Sequence, residues 1–160
     1  MQNWSDFFVA TAGASAALVG FIFVSVSISL KQILSYPNLP GKTLESLLLP
    51  INVLLISCCG LVPDQPLWIL GSELLILGLI TSMIALRVSW RLLTKTPVRY
   101  KRSYRFSLLV TQLIILPSWL AGILIITNGL TAVYWVVPTI LLSFIKAIYD
   151  AWILIIEINR

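Results

Sequence analysis

The chain has no histidine, and its only two cysteines are the neighbours Cys58 and Cys59. Without His or spaced Cys, the usual ligands of zinc and haem are missing. Adjacent cysteines strain disulfide geometry, so this pair is expected to serve as small core residues. Charge is scarce too: 11% of the 160 residues are charged and only six are acidic, whereas an ordinary soluble domain carries about 25%. No nucleophile–base pair, aspartyl pair, phosphate loop or metal motif is present. These absences point away from an enzyme and imply neither cofactor nor metal. What is abundant is apolar: 59% of residues are hydrophobic and the mean hydropathy is +0.98. A water-soluble globule of this size cannot hide so much apolar surface. The expected solvent is lipid.

A spanning helix needs about 20 mostly apolar residues. Five stretches qualify, at approximately 7–30, 44–62, 67–86, 106–126 and 130–156. Helix-breaking clusters separate them: Tyr36-Pro37-Asn38-Leu39-Pro40-Gly41, Pro63-Asp64-Gln65-Pro66 and Thr127-Asn128-Gly129. The sequence therefore predicts an all-α, polytopic transmembrane bundle of five spans, forming one domain over residues 1–160.

Charge then sets the orientation. Lys31 and Lys42 fall between spans one and two, and Lys146 and Arg160 at the end. Arg87, Arg91, Lys95, Arg99, Lys101, Arg102 and Arg105 fall between spans three and four, in a segment, 87–105, expected to be a basic loop. In a five-span threading all eleven basic residues share one side, which the positive-inside rule makes the cytoplasm. The N-terminus then faces out and the C-terminus in. The first residues carry no basic leader and no small-residue cleavage site, so no removable signal peptide is expected.

Several short stretches resemble a group of small bacterial five-span integral membrane proteins, some labelled modulators of the FtsH-type membrane protease. The matching pieces are Trp4 with Phe7-Phe8, Gly13 through Leu18 with Gly20, Leu39-Pro40-Gly41-Lys42 with Glu45, Val62-Pro63, Gly71 with Glu73, Tyr134-Trp135 with Pro138, and Ala151-Trp152 through Glu157-Ile158 and Arg160. Asp150 stands where that group often has Asn. The resemblance implies a multi-pass protein of the bacterial cytoplasmic membrane with a membrane-protein partner. A local likeness links Ser15 through Val24 to the pore-lining first helix of the Orai calcium channels, with Ile28 where that helix carries its acidic selectivity residue.

Within the spans, Ala12, Ala16 and Gly20 recur every four residues and form a candidate helix-packing face. A second stripe through Thr11, Ser15, Leu18, Ile22, Ser25 and Ser29 gives a candidate pore face. Glu73 is the only carboxylate well inside a span, ~9 Å from one helix end by helical rise, with no cation in prospect. Together with Asn52 and Gln112, which lie near Pro50 and Pro117, it makes a candidate intramembrane polar site. Pro138 is expected inside span five. Lys146 and Asp150, one turn apart, are expected to form an interfacial pair with Lys146 able to snorkel. The seven basic residues of 87–105 are suited to anchoring on anionic lipid headgroups; nucleic acid is not an expected partner. Function is expected to lie in interaction, as an accessory, modulator or assembly component of a membrane complex. The alternative is an oligomeric channel or transporter subunit in which span one lines the path and Glu73 handles protons or cations.

Overall fold

The computed structural model describes the backbone of residues 2–36, 39–95 and 98–158, and the side chains of 4–36, 39–94 and 105–156. Among these, every element is helical: α1 Gln2–Ile28, α2 Leu30–Ser35, α3 Leu39–Gly60, α4 Leu67–Lys95, α5 Val98–Asn128, a 3-10 segment Gly129–Trp135, and α6 Val136–Ile158. Four stretches are long and apolar enough to cross a membrane: Trp4–Ile28, Leu39–Gly60, Leu67–Thr94 and Arg105–Ile156, the last joining α5 to α6. Large apolar side chains face outward on all of them, among them Phe21, Ile76, Leu113 and Ile145. Surfaces of that kind suit an apolar solvent.

The long helices alternate in direction. Thr11 and Ser15 of α1 meet Ser57 and the Pro50 carbonyl of α3, so residue numbers rise on one helix as they fall on the other. Asn52 on α3 meets Thr81 on α4, Ser82 meets Gln112 on α5, and Ser107 in the first third of α5 meets Lys146 at the middle of α6. One end of the bundle thus collects the C-terminal halves of α1, α4 and α6 with the starts of α3 and α5. The other end carries a ring cluster: Trp4 packs edge-on to Phe7 and Tyr134, with centroids 5.7 and 4.8 Å apart, and Phe7 on Phe8. Helix α3 is the hub, bordered by α1, α4 and α6. Its Val53 and Ile56 join Leu70, Leu74, Ala121, Ile125 and Ile140 in the main core.

Three expectations are corrected. First, the described residues of 87–105 are helical, not a loop. Helix α4 runs on to Lys95 and α5 begins at Val98, because Ser89 and Leu92 continue the buried face of α4 (2% and 4% exposed). The Thr96-Pro97 pair between the two helices lies outside the described residues. Arg87 and Arg91 therefore project from the last turns of α4 as exposed side chains, and Arg105 from α5. The side chains of Lys95, Arg99, Lys101 and Arg102 lie outside the described residues, although their backbone is helical.

Second, span five does not start at residue 130. Gly129 (φ +80°) breaks α5 in a left-handed conformation that glycine adopts without strain. A 3-10 segment follows, and α6 opens at Val136. Pro138 therefore occupies a first turn, where its missing N–H has no intrahelical partner to lose, while Pro50 and Pro117 are interior as expected.

Third, the Ala12–Ala16–Gly20 face is not packed within the chain. Ala16 and Gly20 are exposed and Ala12 half-buried, and a Cβ built on Gly20 would meet nothing within 4 Å. Helix α1 rests on α3 through the other stripe instead, with Thr11, Ser15 and Ile22 buried, Leu18 and Ser29 half-buried and Ser25 exposed. The close backbone approach occurs between α4 and α5. A Cβ on Gly71 would lie 2.7 Å from the Gly122 carbonyl oxygen, and one on Gly122 would lie 2.8 Å from that of Gly71.

Candidate functional site

The residues with the strongest chemistry gather where the N-terminal thirds of α3 and α5 meet the middle of α6. Lys146 extends from α6 and is 7% exposed. Its ammonium donates to Asp150 Oδ2 at 2.5 Å and to Ser107 Oγ at 3.1 Å, and lies 3.9 Å from Glu45 Oε1. Ser107 in turn donates to Glu45 Oε1 at 2.8 Å. Two carboxylates, one ammonium and one hydroxyl thus form a closed network shared by three helices. The i, i+4 spacing expected of Lys146 and Asp150 is realised, but Lys146 does not snorkel; it turns inward because Glu45 and Ser107 offer partners there. Lys42, half-buried on α3, is close enough to act electrostatically on Asp150. Burying several ions is expensive unless each is paired and hydrogen-bonded, as these are.

Sequence reasoning missed Glu45 and Ser107. The signal was available: up-and-down threading places the start of span two and the start of span four at the same end as the close of span five.

The expected triad of Glu73, Asn52 and Gln112 is brought together only in part. Thr81 donates to Asn52 Oδ1 at 2.9 Å and Ser82 to Gln112 Oε1 at 2.5 Å. Consecutive residues of α4 therefore tie α3 on one side and α5 on the other. Glu73 sits eight residues earlier on α4, roughly 12 Å away by helical rise. There it accepts a hydrogen bond from Gln65 Nε2 at 2.7 Å, and the Cys59 thiol at the end of α3 reaches the same carboxylate. Both cysteines are free; Cys58 faces outward instead of filling core, and Cys59 is half-buried.

The partner of Glu73 predicts the outcome of two substitutions. Glu73→Gln keeps an acceptor for the Gln65 amide and should leave thermal stability within about 0.5 kcal/mol of the native protein. Glu73→Leu removes the acceptor and should cost about 1–3 kcal/mol. Melting curves of both variants in one detergent decide this; equal losses would mean that the charge, not the hydrogen bond, is what the fold uses.

Among the described residues no group of three or more Cys, Asp or Glu side chains is placed to hold a metal ion. The arrangement can lock helices together, bury charge in compensated form and present an apolar exterior. Comparison with protein-family models, with curated proteins and with solved structures finds no match.

Proposed function

We propose that this chain is a multi-pass protein of a bacterial cytoplasmic membrane that works by interaction, as an accessory or assembly component of a larger membrane complex. Helices α1, α3, α4, α5 and α6 each cross the bilayer in this reading. The end carrying Lys31, Lys42, Arg87, Arg91 and Arg105 faces the cytoplasm, and the aromatic end with Trp4 and Tyr134 faces out. The positive-inside rule supports that orientation, and exposed Arg side chains at one end suit anionic headgroups.

The observation that carries the proposal is the unequal covering of the apolar helices. In α1, 22% of the apolar window is buried, against 39–44% in the other three stretches. Its outer side presents Gly13, Ala16, Ala17 and Gly20, small residues over which another helix can approach closely, flanked by exposed Phe21 and Phe23. Meanwhile Glu45, Glu73, Gln112, Lys146 and Asp150 are engaged with partners inside the chain. The outer side of α1 is left as the chief surface for another membrane protein.

The test is photo-cross-linking in native membranes from a reactive residue placed at Ala17 or Gly20, with Ile145 on the outer side of α6 as the control site. A discrete adduct with a different membrane protein from α1 and none from α6 is expected. Lipid adducts alone from α1 would overturn the proposal, and adducts with a second copy alone would favour the oligomeric channel. Impermeant thiol labelling of cysteines at Lys31 and Arg87 reads the orientation, and labelling of intact cells from outside would reverse it.

A further inference from the structure

Between α3 and α6 the bundle contains three polar atoms that no hydrogen-bond partner among the described residues reaches: Asn52 Nδ2, Thr139 Oγ1 and Ser143 Oγ. Their residues are 2%, 0% and 0% exposed. The helix register brings them to one place. Glu45 and Lys146 fix the pairing of α3 with α6, which run in opposite directions. Seven residues up α3 from Glu45 is Asn52, and seven residues back along α6 from Lys146 is Thr139. Both steps climb about 10.5 Å, so the two residues lie at one level. Ser143 sits one turn from Thr139 on the same face, and Val53 and Ile140, their chain neighbours, share one core cluster. The carboxamide is held in place, because its oxygen already accepts from Thr81 at 2.9 Å. One N–H donor and two hydroxyls thus converge on the α3–α6 seam.

An unpaired buried donor or hydroxyl costs about as much as a lost hydrogen bond, and buried polar groups in folded proteins are paired with protein atoms or with ordered water. We propose that the α3–α6 seam is a binding site for internal water, held by Asn52, Thr139 and Ser143 near the middle of the bundle. Water fits the donor set: its oxygen accepts from Asn52 Nδ2 while its hydrogens bridge to the two hydroxyl oxygens. An internal water with two to four polar partners is an integral structural element. In this fold it would couple α6 to α3 one storey from the Lys146 network, making the midplane contact polar and specific where leucines would slide.

The isosteric substitution Thr139→Val gives opposite signs for bound and unbound hydroxyls. If Thr139 holds water, Val removes a hydrogen bond and Tm should fall by about 2–4 °C. If the hydroxyl is merely unpaired, Val removes a buried orphan and Tm should stay or rise, which would overturn the proposal. Hydroxyl-radical labelling by X-ray radiolysis, run on the native protein in detergent, keeps the question answerable should the variant fail to fold. Bound water should produce labelling at Val53 and Ile140 despite their burial, and unlabelled Val53 and Ile140 would refute it. A third arm exchanges chloride for sulfate in the melting buffer. An unchanged Tm is expected, and a fall on removing chloride would replace water by an anion and overturn the assignment.

Discussion

Lys146→Met should destabilise the folded protein by about 3–5 kcal/mol, because it breaks a buried, hydrogen-bonded charge cluster by removing its ammonium. Methionine matches the length and apolar stem of lysine but leaves Glu45 and Asp150 without the ammonium that lies 3.9 and 2.5 Å from them. Their side chains are 9% and 15% exposed, so water cannot take over the lost role. Ser107 still donates to Glu45, which one hydroxyl cannot extend to two carboxylates. The partners then protonate or the helices part, and either route is costly. Adding Glu45→Gln and Asp150→Asn to the methionine variant should recover most of the loss, since neutral amides carry no uncompensated charge. Melting curves of the single and triple variants in one detergent measure both effects. A single variant as stable as the native protein would show that the cluster is solvated and contributes no strength.

The same cluster shows how far a sequence of this kind can be read. The all-helical, apolar character of the chain was legible, because few soluble arrangements tolerate so little charge, whereas four stretches, not five, stand out as long and apolar enough to cross a membrane. Lys146 with Asp150 was legible as a pair because one helix sets its spacing. Glu45 and Ser107 were not, since their contribution depends on which helices become neighbours, and hydrophobic periodicity inside a membrane reports that only weakly. The ends of helices misled in a consistent way. Arginine and lysine between residues 87 and 105 look like loop chemistry, but they are good helix formers, and the buried Ser89 and Leu92 extend α4 past its apolar stretch. Glu73 has no cation within reach of its span in the sequence, but a neutral partner, the glutamine of the preceding turn, supplies the bond. The density of Ala and Gly is highest on α1, whereas the seven-residue spacing of Gly71, Gly78 and Ala85 on α4 marks a small-residue face that is buried.

Gly122→Ala should therefore lower stability by about 1–3 kcal/mol, and Gly122→Leu should abolish the folded protein, whereas Gly20→Leu should leave folding intact. At Gly122 an added Cβ would lie 2.7 Å from Leu75 Cγ and 2.8 Å from the backbone oxygen of Gly71. The Leu75 side chain can rotate aside, but the carbonyl belongs to α4 itself, so the two helices must separate. Overpacking of that order costs about 1–3 kcal/mol for one carbon and more for a larger group. The loss spreads, because separating α4 from α5 also strains the Ser82–Gln112 bond one storey away. At Gly20 a Cβ meets nothing within 4 Å, and leucine is the better helix former. Gly20→Leu should nevertheless abolish the α1 cross-link to a partner, since a large side chain keeps another backbone at a distance. Size-exclusion profiles and melting temperatures separate the first two variants from the third, and cross-linking in membranes reads the third alone. If Gly122→Ala is neutral while Gly20→Leu unfolds the protein, the tight seam lies along α1, and the assignment of α1 as the free outer helix fails with it.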